Sequence, residues 1–490
     1  MCSNVETNFS PTIETHLKFA SVAHEGICIL FGVFFKSKST LKELLFLRRK
    51  VSLSKAFSLS TPFQAMIQLR DMSLLQVRAF GAMMILGAVM SIAMTPVHAE
   101  QNNHLNPSCP TGFANFGDSL TDTGNLLDFF PYTTPPENPP YGEKFFGKPA
   151  KRYSNGRLVP DFFSLAFGKP LLDAYFSVTS FNYKYGINFA VSGATAAYST
   201  TAVEPISVTP LQTSQFVRFQ NSVIASHNQS GCRNFNKDLP DTKIKNLWSS
   251  WLYTIKAGSN DVLTTIASGE PISTVNATNV PSAVNAIVTA IVTLYNKGAR
   301  QFLISGMEVG GCGPYILTAL RDANLTKDSL GCIADVNSVV QHFNGLLFSE
   351  IKFLRQNLTG ANLAYFDYYS ANIEILTHPT TYGFDPAKTM TACCGAPGNG
   401  TWNYNINVPC GQVPALGWNN CPNPDQYINW DGIHYTEAFY QHMAHFYLND
   451  QYTHGGVNYA KLCNLDYSNW GKNVTFEQAY PLQMCNNLFT

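Results

Sequence analysis

Charge is scarce in this chain. Asp, Glu, Lys and Arg make up 13% of its 490 residues, about half the share of roughly 25% usual in soluble domains. The 32 basic and 32 acidic side chains cancel, so no basic face is implied and nucleic-acid binding has no support. No pair of Cys-x-x-Cys motifs stands at zinc spacing, and no metal or other cofactor is implied. There is no internal repeat. The apolar run Ala79 to Met94 is 16 residues long, short of the roughly 20 that a membrane-spanning helix needs. Asn, Ser, Thr, Gly and Tyr supply the polar surface in place of charge, a balance that suits a secreted, loop-rich protein.

That short run has the parts of a secretory signal peptide. Arg78 precedes it, Thr95-Pro96 ends it, and Val97-His98-Ala99 offers small residues at the −3 and −1 positions of a cleavage site before Glu100. Met72 is well placed as the start of that signal, so residues 72–99 are assigned to it and residues 1–71 to an upstream extension outside the working protein. The rival reading is a second targeting segment, with Gly26 to Phe35 apolar and Lys36 to Lys55 basic and Ser-rich. Residues 100–490 read as a single domain, with no linker to split them.

Cysteine usage agrees with export. Ten of the twelve cysteines follow the leader, an even number as a disulfide framework requires, though pairing is not readable from spacing. Cys393 and Cys394 are adjacent and are expected to take different partners. Six Asn-x-Ser/Thr sequons, at Asn228, Asn276, Asn324, Asn357, Asn399 and Asn473, mark a candidate glycoprotein.

Strand and helix signals alternate along the mature region. Phe113 to Phe116, Trp251 to Ile255, Phe302 to Ile304 and Leu363 to Phe366 read as short buried strands. Val284, Ile287, Val288, Ile291, Val292 and Tyr295 recur at helical spacing after Pro281, with Gly298 as the stop. Val336, Val340, Phe343, Leu347, Ile351 and Leu354 mark a second amphipathic helix. This alternation favours an α/β fold, a parallel sheet with helices on both faces and sites at the C-terminal ends of strands. Pro131 to Gly156 and Gly395 to Pro424 read as long surface loops, the second pinned by disulfides.

Four blocks carry candidate chemistry. Ser119 lies in Gly117-Asp118-Ser119-Leu120 directly after a strand, where a serine is either a nucleophile or a plain turn residue. Asp431-Gly432-Ile433-His434 places a carboxylate three residues before an imidazole, so Asp431 can fold back onto Nδ1 and leave Nε2 free to take a serine proton. The blander reading is a capped turn with a solvated histidine. Asn260 in Gly258-Ser259-Asn260-Asp261 follows a strand and can aim an amide at an oxyanion, or close an Asx turn. Gly193 in Ser192-Gly193-Ala194 lets a backbone N–H approach a substrate closely, or is a simple turn. Asp118, Asp122 and Asn125 are expected to hold the serine turn through hydrogen bonds. His442 and His445, with His434, could in principle bind zinc, but a helix face with surface histidines is the plainer account.

Together and in this order, the blocks resemble the plant-type GDSL esterase/lipases of the SGNH hydrolase superfamily. Pro140-Tyr141-Gly142, Ser154-Asn155-Gly156-Arg157, Gly311-Cys312-Gly313-Pro314, Phe343-Asn344, Cys393-Cys394-Gly395 and Trp430-Asp431-Gly432-Ile433-His434-Tyr435 extend the likeness from about Phe113 to Tyr447. Two departures stand out: Lys151 takes the place of a glycine common before Arg152, and Met307 to Gly311 replaces the more usual Pro-Pro-Ile-Gly run. The resemblance implies a three-layer α/β/α, flavodoxin-like fold with a central parallel sheet. It also implies ester hydrolysis through an acyl-serine, with Ser119, His434 and Asp431 as triad and the Ser119 and Gly193 N–H groups and the Asn260 side chain as oxyanion donors.

The expected partner is a small-molecule, lipid or cell-wall ester met outside the cell. The mature chain needs no stable membrane span. Two alternatives stay open at this point. The same acyl-enzyme can pass its acyl group to an alcohol, and the fold can serve as a glycan- or lipid-binding module with a dead site.

Overall fold

A computed structural model describes residues 108–130, 134–177, 183–199, 206–228, 246–398, 402–412 and 417–471. The expected signal peptide and upstream extension, Cys232, Cys485, Asn399 and Asn473 lie outside the described residues. All described residues fall within the unit Glu100–Thr490.

Short, mostly apolar runs become the central sheet, with the polar pair Thr453–His454 at one edge. Its strands are β1 (Gly112–Gly117), β2 (Gly186–Asn188), β5 (Trp251–Lys256), β6 (Gln301–Ser305), β7 (Asn362–Phe366) and β10 (Thr453–His454). Two small pairs stand apart, β3 (Thr195–Ala197) with β4 (Ser207–Thr209) and β8 (Cys394–Gly395) with β9 (Asn419–Asn420). Across the main sheet the order is β10, β7, β6, β5, β1, β2. The strands from β7 to β2 run parallel, and β10 closes one edge antiparallel to β7. The expected parallel sheet is therefore present with one antiparallel edge that the sequence did not signal.

Alternation along each strand feeds two cores. Phe116, Ile255, Ile304 and Tyr365 enter one cluster with the helices α3 (Ile272–Asn296) and α4 (Ala334–Asn357). Phe113, Leu252, Leu303 and Phe366 enter the other, with α1 (Val159–Ala166), α5 (Tyr368–Thr377) and α6 (Glu437–Leu448). The remaining long helix, α2 (Leu211–Asn228), sends Phe216 and Phe219 into the first cluster. Each such side chain contributes about 1.5–3 kcal/mol when fully buried, so both faces of the sheet are firmly covered. The architecture is a three-layer α/β/α sandwich of flavodoxin-like strand order.

One helix boundary differs from the sequence reading. α3 starts at Ile272, and Pro281 lies inside it. Pro281 and Ala277, whose carbonyl loses its partner, are both exposed, so water can take the freed acceptor and the helix runs on. Among the described residues α3 is also the one helix long and apolar enough to cross a membrane, but Val284, Ile287, Ile291 and Leu294 are buried against the sheet cluster.

All eight cysteines within the described residues are paired. Cys109–Cys463 ties the start of β1 to the segment after α6, and Cys312–Cys332 closes a short loop. Cys393–Cys421 and Cys394–Cys410 take the adjacent cysteines to different partners, as expected, and pin the long Gly-rich loop.

Candidate active site

The chain leaves β1 for β2 on one side and later returns to β5 on the other, so the sheet order reverses at β1. A crevice forms outside the strand ends at such a point. Ser119 follows β1 there, half-buried, and Asn260 follows β5. Gly117 is what allows the turn. Its φ is +152°, and a Cβ added to it would lie 2.2 Å from the Lys256 carbonyl oxygen on β5. The Gln212 side chain, buried on α2, satisfies that residue twice, accepting from Gly117 N at 3.0 Å and donating to Gly117 O at 2.7 Å.

Asp122 organises the turn after Ser119. It accepts from the backbone of Gly124, Asn125 and Leu126, and from both N–H and hydroxyl of Ser192 at 2.7 and 2.9 Å. Asn125 donates to the carbonyls of Asn188 and Ala190. The serine turn and the Ser192-Gly193-Ala194 turn are thereby one unit, with Gly193 half-buried at φ +80°. Asp118 takes part less than expected. Its Oδ1 accepts from Leu120 N at 3.0 Å, while Oδ2 is buried with no protein partner.

Asn260 and Asp261 do not close an Asx turn on themselves. Asn260 donates to Ala194 O at 2.8 Å, and Asp261 accepts from Ala196 N at 2.7 Å and Ala197 N at 3.2 Å. One Asn260 amide hydrogen is used in this bond, and the second is available beside the Gly193 turn.

Asp431, Gly432 and His434 are buried, while Ile433 is exposed. Asp431 Oδ2 stands 2.7 Å from His434 Nδ1, and Asp431 Oδ1 accepts from the backbone of Ile433 and His434. Gly432 takes φ +93°, with Tyr404 so close that a Cβ would lie 2.4 Å from its ring. Thr436 then caps α6 by accepting from Phe439 N. Burial works against the Asp431 charge, but the His434 charge and these hydrogen bonds outweigh it and hold the carboxyl below its ordinary range. A carboxylate so placed keeps the Nδ1 proton and leaves Nε2 as the basic nitrogen.

Three consecutive residues bridge the two halves of the site. Arg152 donates to Thr123 O in the serine turn at 3.1 Å. Tyr153 lays its ring against His434, centroids 4.6 Å apart, and Ser154 donates to Tyr435 O at 3.1 Å. The His434 charge reaches Asp118, the neighbour of Ser119. There, burial first and the Glu308 carboxylate after it raise the carboxyl, Lys256 and His434 lower it, and the outcome is about 6.

Several contributors lie outside the four blocks. Tyr141 donates to Asp431 Oδ2 at 2.8 Å. Lys256 and Glu308 form a buried ion pair of 2.7 Å, and Ser259 bonds both. Glu308 lies in the Met307 to Gly311 departure. Its carboxyl is opposed by burial, and the Lys256 charge and hydrogen bond bring it below the ordinary range. Lys151, the other departure, adopts φ +63° and pairs with Asp128. A small cavity of about 30 Å³ lies under the serine turn, lined in part by Leu120, Thr121, Lys256 and Tyr440.

The histidine pair on α6 is only half a surface feature. His442 Nε2 bonds the Tyr382 carbonyl at 2.9 Å and burial lowers its pKa, while His445 is exposed. Among the described residues no group of three or more His, Cys, Asp or Glu is arranged to hold a metal.

Residues 113–446 match the model of the GDSL-like Lipase/Acylhydrolase family. The sinapine esterase of Brassica napus is 34% identical over 363 residues, 73% of this chain and 90% of that protein. The GDSL esterase/lipase ENOD8 of Medicago truncatula is 36% identical over 332 residues, 66% and 82% of the two chains. Alpha-L-fucosidase 3 of Arabidopsis thaliana is 32% identical over 334 residues, 66% and 86%. The matched stretch runs from the first residues of β1 to the last turns of α6 and so encloses every block of the site: the chain belongs to the GDSL lipase/acylhydrolase family, a family of SGNH hydrolases.

Proposed function

We propose that this chain is a secreted serine esterase that hydrolyses carboxylic esters through an acyl-serine intermediate. The observation that carries the reading is the buried Asp431–His434 pair, with its Nδ1 contact of 2.7 Å, joined to the turn of the half-exposed Ser119 through Arg152 and Tyr153.

Ser119 Oγ attacks the ester carbonyl as His434 Nε2 takes its proton. The tetrahedral oxyanion is held by the Ser119 and Gly193 N–H groups and the free amide hydrogen of Asn260. Collapse expels the alcohol, which takes the proton from His434. Water, activated by the same imidazole, then releases the acid. Asp431 steadies the imidazolium throughout.

Replacing Ser119 by Ala tests this. Turnover of a short-chain aryl ester and labelling by a fluorophosphonate should both vanish, and wild-type turnover in Ser119→Ala would refute the assignment.

The fucosidase among the relatives raises glycoside hydrolysis. That chemistry uses two free carboxyl groups flanking the bond. Here Asp431 is committed to four hydrogen bonds, which speaks against it. The four disulfides support an oxidising location, and residues 100–490 as the mature domain. Of the sequons, Asn324 is exposed in a loop, Asn357 is exposed at the end of α4, and Asn276 is half-buried on α3. Asn228 ends α2. Peptide mapping of protein secreted from a eukaryotic host should find a start near Glu100 and a glycan on Asn324, and an unmodified Asn324 would oppose the glycoprotein reading.

A further inference from the structure

Asp431 is held by more than its own turn. Of its four hydrogen bonds, three come from Ile433 and His434 within the Asp-x-x-His segment. The fourth comes from Tyr141, on a loop that precedes it by most of the domain. Oδ2 is thus shared between two donors, the imidazole Nδ1 at 2.7 Å and the Tyr141 hydroxyl at 2.8 Å.

We propose that Tyr141 is a positioning residue of the acid–base pair, fixing the Asp431 carboxylate and limiting how strongly the pair holds a proton. This rests on the triad reading of Asp431 and His434.

The hydroxyl is well supported for that work. Tyr141 is buried in a cluster with Trp430, Cys393, Cys394 and Cys410. Its ring meets Trp430 edge-on at 5.7 Å and Tyr153 edge-on at 6.2 Å. Tyr153 in turn lies on His434, so one aromatic group touches acid and base together. Two disulfides of the cluster, Cys393–Cys421 and Cys394–Cys410, fix the wall behind it. Burial and the neighbouring Asp431 charge keep the phenol protonated far above its usual range, so its hydrogen is always donated to the carboxylate.

Two effects follow. The carboxylate cannot rotate about its Cβ–Cγ bond without breaking a bond on Oδ2. The phenol also draws charge from Oδ2, which weakens the attraction between carboxylate and imidazolium. Removing the hydroxyl alone should therefore misalign the base and make the pair titrate as a stronger base. The two groups are strongly coupled, so the pH profile reports the pair and not either residue.

The test is Tyr141→Phe, which keeps the ring and its packing. With an aryl ester followed from pH 4 to 9, kcat should fall roughly 10- to 100-fold, the range expected for one hydrogen bond to a charged group. KM should stay within about twofold, and the acid limb of kcat/KM should move to higher pH. In an Asp431→Asn background the same change should cost less than about twofold, because the two residues act as one unit. A wild-type profile in Tyr141→Phe overturns the proposal. So does a fall in kcat with an unmoved acid limb, or a full additive loss on top of Asp431→Asn, since either marks a purely structural role. Ser119→Ala separates the levels: if it retains turnover the acyl-serine reading itself fails, whatever Tyr141 does.

Discussion

Replacing Lys256 by Met should uncover the cost of a charge buried at the edge of the candidate active site. Side chains of Lys256 and Glu308 are 4% and 9% exposed and 2.7 Å apart. Removing one partner of such a pair strands the other, at a cost of about 3–5 kcal/mol. At roughly 2 °C per kcal/mol for a domain of this size, the apparent Tm should drop by roughly 6–10 °C near pH 7.

The sign of the pH dependence follows from Glu308. In the wild type its carboxyl is held below the ordinary range, so it contributes stability above the unfolded value, lost as pH falls through the folded one. Without Lys256 burial dominates and the carboxyl rises above that range. Asp118 moves the same way, since Lys256 lowers it too. The variant should therefore lose stability as pH rises, and the gap to wild type should widen from about pH 4 to pH 7.

Guanidinium unfolding followed by tryptophan fluorescence, with Trp248, Trp251 and Trp430 buried as reporters, measures it. The double variant Lys256→Met/Glu308→Leu should recover to within about 1 kcal/mol of wild type, because an apolar pair of similar volume replaces an ion pair at little cost. A single variant that loses less than about 1 kcal/mol, or the same amount at pH 4 and pH 7, would refute this account.

Two further outcomes are expected. Asn260→Ala should lower kcat by about 10²–10³-fold, and an effect confined to KM would remove Asn260 from the oxyanion site. Lys151→Gly should leave stability unchanged or raise it by up to about 2 kcal/mol in thermal unfolding. It relieves a left-handed backbone that costs a non-glycine residue about 1–2 kcal/mol and gives up a partly exposed pair with Asp128 worth about 0–1 kcal/mol. A loss above about 1 kcal/mol would show that the pair outweighs the strain.

Local chemistry is what made much of this site legible. Asp431 and His434 lie three residues apart, so their contact can be written down before any fold is known. The strands at β1, β5, β6 and β7 were legible because each holds a short apolar run, and the first three run into a glycine. What escaped depends on distance in sequence. Nothing in Pro140-Tyr141-Gly142 says that a phenol will reach Asp431. Gln212 sits in an ordinary polar helix, and only the sheet order places it against Gly117. Lys256 and Glu308 are two charges among 64, and Glu308 entered the sequence reading only as part of a departure from a pattern. The start of α3 was misread because Pro281 is a strong local stop signal, whereas an exposed proline can be carried by a helix already packed on both sides of it.

The strand order also sets a timetable. Among the described residues β1 is the first strand to be synthesised, yet it finishes in the interior of the sheet, flanked by β2 and β5. On a chain that emerges N-terminus first, the Ser119 turn can gather Asp122, Asn125 and the Ser192 segment early, while the surface that will receive β5 stays open. The Asp431–His434 turn docks after every parallel strand has been made. The proposed nucleophile thus spends nearly all of synthesis without its proposed base, and the pairing becomes possible only after all five parallel strands have been made.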